Sequence, residues 1–168
     1  MTSAEVLADA FERIRGEVHH AVEGLSAEEL TFRIDGDANS IAWLVWHLTR
    51  VQDDHIAAVA GTEQFWTSSG WADRFGLPLD PPDTGYGHTS EQVAVVRCDA
   101  QELLDYFDAV LEHTLGFVRT LGDDDLERVV DTRWNPPVTL GVRLVSVLDD
   151  DVQHAGQAAF VRGILERR

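Results

Sequence analysis

A single cysteine, Cys98, leaves this chain no partner for an intramolecular disulfide and no set of thiolates for a structural zinc cluster. No basic stretch followed by an apolar one opens the sequence, so no signal peptide is expected. No apolar run approaches the ~20 residues that a bilayer span requires. Positive charge is also scarce. Against 30 Asp and Glu stand 13 Lys and Arg, a net charge of −17, and such a field repels nucleic-acid phosphates and anionic lipid surfaces. Neither nucleic acid nor a membrane is therefore expected as a partner, and the protein reads as cytoplasmic. What is present is ordinary for a globular protein: 44% hydrophobic and 26% charged residues over 168 positions, enough to bury a core without cross-links. One domain over residues 1–168 is the expectation.

Hydrophobic spacing points to helices throughout. Thr2 or Ser3 can cap a first helix to about residue 23, with Val6, Leu7, Ala10, Phe11, Ile14, Val18 and Val22 as its apolar stripe, and Gly24 ends it. Ser26 to Glu29 forms a capping box for one further turn. Asn39 or Ser40 should cap a second long helix over about 40–60, closed by Gly61. Residues 62–88 hold Trp66, Trp71, Phe75, three prolines and four glycines, a composition for a long ordered connection with a turn or two of helix. Thr89 opens a third helical stretch with a fresh cap at Asp99, and a break near Cys98, continuing to about Leu121. Residues 129–134 have some strand character but run into Asn135-Pro136-Pro137, so they read as loop or a short extended piece. Thr139 caps a last helix over about 140–166. Four long helices with one long crossover describe an all-α four-helix bundle.

The last helix carries Asp149-Asp150-Asp151-Val152-Gln153-His154, acidic residues amid apolar ones. Residues four apart on a helix are turned by about 40° and displaced by about 6 Å, which lets Asp150 and His154 converge on one ion. Asp151, three before His154, is the near-equivalent alternative, whereas Asp149 is turned about 140° away. Carboxylates placed mid-helix between buried flanks need a partner. His47, in Trp43-Leu44-Val45-Trp46-His47-Leu48 of the second helix, is the third candidate. One carboxylate and two imidazoles form a facial ligand set that leaves positions open for water or substrate and suits zinc, iron, manganese or nickel alike.

His55 lies eight residues past His47, about 12 Å along the helix, too far to share an ion. His19, His20, His88 and His113 read as ordinary helix or loop residues, and Asp54 as a helix-surface carboxylate or a supporting group for His47. Trp43, one turn before His47, could wall a pocket, while Trp46, Trp66, Trp71 and Trp134 read as core anchors. Gly156 would let a neighbouring helix or ligand approach just beyond His154. Cys98 has no basic neighbour in sequence and reads as structural.

With Asn39 to Leu48 in the second helix, and His154-Ala155-Gly156-Gln157 with Val161-Arg162 in the last, the chain resembles the DinB/YfiT-like superfamily of four-helix-bundle metalloenzymes, which includes the bacillithiol and mycothiol S-transferases. The resemblance covers almost the full length. It implies a divalent metal held by one histidine of the second helix and two histidines four apart in the last, a pattern matched by His47 and His154 and departed from at Asp150. An aspartate is a competent ligand, so a His-Asp-His site is expected. The resemblance further implies a thiol-dependent transferase or isomerase acting on a small electrophile, with mycothiol as co-substrate. In that picture residues 62–88 and 131–138 close over the substrate, and the protein is a homodimer. Two other readings compete: a metal-dependent hydrolase using the same site, for which Asp54 is a candidate base, and a non-catalytic bundle that binds a small ligand or pairs with itself and keeps only vestigial ligands.

Overall fold

Side-chain caps set most of the helix starts in the computed structural model, which describes all 168 residues. Helix α1 (Ser3–Val22) opens on a reciprocal box: the Thr2 hydroxyl accepts from Glu5 N–H, and the Glu5 carboxylate accepts from Thr2 N–H. Ser26 and Glu29 repeat the device at α2 (Ala27–Leu30). Ser40, not Asn39, caps α3 (Ile41–Ala60), which Gly61 ends in a left-handed conformation. Short helices α4 (Phe65–Ser68), α5 (Trp71–Phe75) and α6 (Ser90–Ala94) punctuate the connection to α7 (Ala100–Val118), capped by Asp99. A 3-10 turn (Asp123–Glu127) leads to strands β1 (Val129–Asp131) and β2 (Val138–Thr139), an antiparallel pair. Thr139 then caps α8 (Leu140–Leu165). The small sheet is an addition to the all-α expectation.

Each long helix packs against two others. Helix α8 lies between α1 and α3, and α7 lies between the same two on the opposite side, so α1 is diagonal to α3 and α7 to α8. Cross-helix bonds set directions. Arg15 and His19 of α1 reach Glu112 and Asp108 of α7, so these two run antiparallel. Arg50 meets Tyr106 and Thr62 meets His113, so α3 and α7 run parallel, as the long crossover between them requires. The core gathers Phe11, Ile14 and Val18 from α1 with Leu44 and Leu48, Phe107 and Leu111, and Leu144 and Val147 from the other three.

The crossover is anchored by charge as well as by apolar packing. Asp53, buried in the middle of α3, accepts from the backbone N–H groups of Phe65 and Trp66 at the start of α4 and from the Tyr106 hydroxyl. The fully buried Arg50 lies 3.5 Å from Asp53 and donates to the Asp83 carbonyl and to Gln64 Oε1. Apart from their mutual contact and their bonds to Tyr106 of α7, the hydrogen bonds of this ion pair go to the crossover, which offsets the cost of burying two charges and helps fix where residues 83–88 lie.

Three residues depart from the sequence-based expectation. Trp134 is 66% exposed rather than a core anchor, because it sits in the turn between β1 and β2 and not on a helix face. Val6 lies outside the α1 stripe and is exposed. Gly156 has open space where a Cβ would stand, so no close neighbour explains it.

Candidate metal centre

Helices α3 and α8 run antiparallel and in contact, which brings His47 to the level of Asp150 and His154. One ligand-type atom from each of the three lies within 4.8 Å of the others. The helical spacing that allowed either Asp150 or Asp151 is resolved by the facing of α8. Asp151 is on the core side with Leu144, Val147, Ala155 and Ala158, and only Asp150 turns toward His47. Asp149 points to solvent and accepts from Gln153.

Both imidazoles are fixed by backbone carbonyls. His47 Nδ1–H donates to the Thr84 carbonyl, and His154 Nδ1–H donates to the Asp150 carbonyl at 2.8 Å. Each ring therefore has its Nδ1 proton committed and presents Nε2 as its free position. Asp150 Oδ2 stands 3.3 Å from His154 Nδ1, but that N–H is aimed at the carbonyl, so the carboxylate oxygen is buried without a hydrogen-bond partner. A buried, unpartnered carboxylate oxygen clustered with two imidazoles, each with Nε2 free, is an arrangement that a divalent cation would satisfy and that is costly without one.

The electrostatics agree. Burial holds the pKa of His47 below its ordinary value, the nearby His154 adds to this, and the Thr84 bond opposes it. A neutral imidazole is the form that binds metal. Burial also works against protonation of His154, but the Asp150 carboxylate close by and the bond to the Asp150 carbonyl outweigh it and raise its pKa. A cation at the triad would take over the role of that proton.

Sequence reasoning placed Trp43 beside His47 as a pocket wall but missed what stands behind it. Trp43 stacks on it with ring centroids 4.6 Å apart, and the Trp43 indole N–H donates to His88 Nδ1 at 3.0 Å. Because indole only donates, His88 carries its proton on Nε2, which donates to the Asp83 carboxylate at 3.0 Å. Burial opposes ionisation of Asp83, yet the bonds from His88 and the Gly85 N–H hold its pKa below the usual carboxylate value. A chain of Asp83, His88, Trp43 and His47 results, and residues 83–88 back the centre from behind. For residues 83–88 the signal that was present is Gly85, a glycine two residues past Asp83 in a loop rich in them. Its φ of +92° and its approach to Trp43, Trp46 and His47 leave no room for a side chain.

Other candidates lie elsewhere. Asp54 accepts from Gln64 on the crossover side. His55 is bonded to Arg143, two turns along the seam, and His19 bridges Glu23 and Asp108. Asp151, which should have found a partner, has none on either oxygen despite complete burial, and that burial raises its pKa well above the ordinary carboxylate range. The Cys98 thiol is pushed up to about 12 by burial, with Glu102 and Asp99 adding to the shift, which makes it a structural residue and not a nucleophile.

Residues 6–167 match the family model described as mycothiol-S-transferase. A crystal structure titled as a conserved protein of locus from Enterococcus faecalis superposes with a TM-score of 0.93 at 30% identity, covering 100% of this chain and 99% of that one. No curated protein matches the sequence.

Proposed function

Because the chain belongs to the mycothiol S-transferase family, we propose that it transfers a low-molecular-weight thiol of the mycothiol type to a small electrophile at a divalent metal held by His47, Asp150 and His154. The observation that carries this reading is a pair of backbone-fixed imidazoles, each with Nε2 free, clustered with a carboxylate whose Oδ2 is buried and unpartnered. A cation bound there would lower the pKa of a coordinated thiol and so supply a thiolate at neutral pH.

The chain's own residues then have defined tasks. His47 and His154 serve as neutral donors whose Nδ1 protons are held by the Thr84 and Asp150 carbonyls, so neither ring needs to turn on binding. Trp43 covers one face of His47 and keeps water from it. In the transfer, the thiol proton goes to solvent, the sulfur forms a bond to the electrophilic carbon, and the leaving group departs with the bonding electron pair.

Asp54, the candidate base of a hydrolase at the same site, is engaged by Gln64 on the crossover side. What favours thiol transfer is the family match over residues 6–167.

The test is elemental analysis of the purified protein, followed by a thiol-consumption assay with mycothiol and a small alkylating electrophile. About one divalent metal per chain and metal-dependent loss of thiol are expected. A protein that neither retains nor takes up zinc, nickel, iron or manganese would overturn the reading, as would metal-loaded protein that leaves the thiol untouched.

A further inference from the structure

Trp43 packs against both imidazoles of the candidate centre. Its indole stacks on His47 with ring centroids 4.6 Å apart and planes within 11°, and it meets His154 edge-on at 6.2 Å. We propose that Asp83 and His88 are positioning residues for this centre: the carboxylate sets the tautomer of His88, and His88 holds the Trp43 indole in the orientation that packs the two rings for a bound cation. The inference rests on the metal site of the function proposed above.

The bonds leave one arrangement of protons. A carboxylate only accepts, so His88 Nε2, 3.0 Å from each oxygen of Asp83, carries the proton. An indole only donates, so His88 Nδ1, 3.0 Å from Trp43 Nε1, is bare. A doubly protonated ring would set one N–H against another, and the ring is therefore neutral. Without Asp83 the other tautomer, with its proton on Nδ1, becomes open to His88, and that tautomer cannot accept from Trp43.

The loop is built to hold this pair. Gly85 and Gly87 have φ of +92° and +74°, which turns the chain back so that side chains five residues apart meet. Gly85 N–H donates to Asp83 Oδ1 at 2.8 Å, and the fully buried Arg50 donates to the Asp83 carbonyl at 3.1 Å. The His88 side chain is only 3% exposed and lies nearly parallel to the Trp46 ring, centroids 5.9 Å apart. Thr84, inside the same loop, accepts from His47 Nδ1, so the loop reaches His47 both directly and through Trp43.

An apolar side chain would fill the space of His88 if packing were the only task. A buried imidazole needs both nitrogens satisfied, and here one of them serves an indole that is itself buried. What the arrangement adds is direction. An indole without its acceptor has no bond to fix its tilt, and a tilt moves the ring that lies against His47 and His154. Partners that orient ligands in this way set metal affinity without touching the ion.

The experiment compares three variants: His88→Leu, which fills the space without an acceptor; His88→Asn, whose side-chain oxygen stands where Nδ1 does; and Trp43→Phe, which keeps a ring but no donor. Zinc affinity is measured by competition with a chelating dye, and nuclear magnetic resonance of the metal-free protein follows the Trp43 indole and the His47 and His154 rings. His88→Leu should weaken zinc binding by about 10–100-fold, and His88→Asn should recover most of that loss. On a Trp43→Phe background His88→Leu should add nothing, because the bond it removes is already gone. The indole N–H signal should move in His88→Leu and not in His88→Asn, with the two imidazole signals following it. Wild-type zinc affinity in His88→Leu, or additive losses in the double variant, would overturn the inference. If His88→Leu fails to fold by circular dichroism, the other two decide: Trp43→Phe should bind zinc more weakly than His88→Asn, and equal affinities would overturn it. A wild-type protein that takes up no zinc, nickel, iron or manganese would count against the function proposed above. The metal-free spectra still decide the pair, since imidazole signals that stay in place when the indole bond is lost would overturn it.

Discussion

Gly85 presses its backbone against the imidazole of His47: a Cβ added to it would stand 2.7 Å from His47 Nδ1 and 3.1 Å from the Trp46 ring. The same loop supplies the Thr84 carbonyl that holds the His47 proton, so a shift of the loop is a shift of the candidate ligand. Gly85→Ala is therefore predicted to lower metal affinity by about 10–100-fold, the usual cost of disturbing a partner that orients a ligand. Competition with a chelating dye measures this, with circular dichroism to check that the helices persist. Wild-type affinity in a folded variant would mean that the loop does not orient His47.

Removing the candidate ligands should empty the site outright. His47→Ala and His154→Ala are each predicted to lose bound metal while staying folded, and a full metal equivalent in either, by mass spectrometry, would refute the assignment. Asp150→His should tighten binding, since it restores the three-histidine pattern that the resemblance implies.

Asp53 holds the crossover from a buried position. Asp53→Ala leaves Arg50 buried and unpaired and frees two N–H groups of α4, a change expected to cost about 3–5 kcal/mol. Urea unfolding monitored by tryptophan fluorescence would show it as a lower midpoint. A shift under about 1 kcal/mol would mean that water replaces the carboxylate at no great cost.

Asp151 should make stability fall with pH. Its folded pKa is raised above the ordinary carboxylate value, so over the interval between the two the folded state binds more protons than the unfolded one. The neutral form's stability is present below the unfolded pKa and is lost as pH rises through the folded one. Asp151→Asn, which cannot ionise, should match wild type near pH 4 and exceed it increasingly toward neutral pH in urea unfolding of the metal-free protein. A constant difference across this range would contradict the burial of an ionisable carboxyl here.

Cys98 should resist modification. With its thiol pushed up to about 12, native protein at pH 8 should react negligibly with a chromogenic disulfide reagent, and denatured protein should release one equivalent. Fast native reaction would place the thiol at the surface.

Helix starts were legible because caps are local: Thr2, Ser26, Ser40, Thr89, Asp99 and Thr139 each bond to a backbone group three residues on. The two short strands were only half legible, since a three-residue strand gains its identity from its partner and not from its own pattern. Trp134 was misread for a related reason, that an aromatic residue carries no local mark of which side of a turn it faces.

The sequence by itself determined the spacing of Asp150 and His154, because 3.6 residues per turn leaves a carboxylate and an imidazole four apart no choice but to share a face. It also determined that His47 sits among apolar residues and that Asp149 turns away. Only the tertiary structure decided that α3 lies antiparallel against α8, and hence that Asp150 and not Asp151 meets His47. Helical periodicity says which residues share a face, but which face a neighbour covers depends on every helix of the bundle packing at once. The same holds for Thr84 and Gly85, which reach His47, and for His88, which reaches Trp43, all from about 40 residues away. Contacts across such a distance are made by packing and leave no periodic trace in the chain.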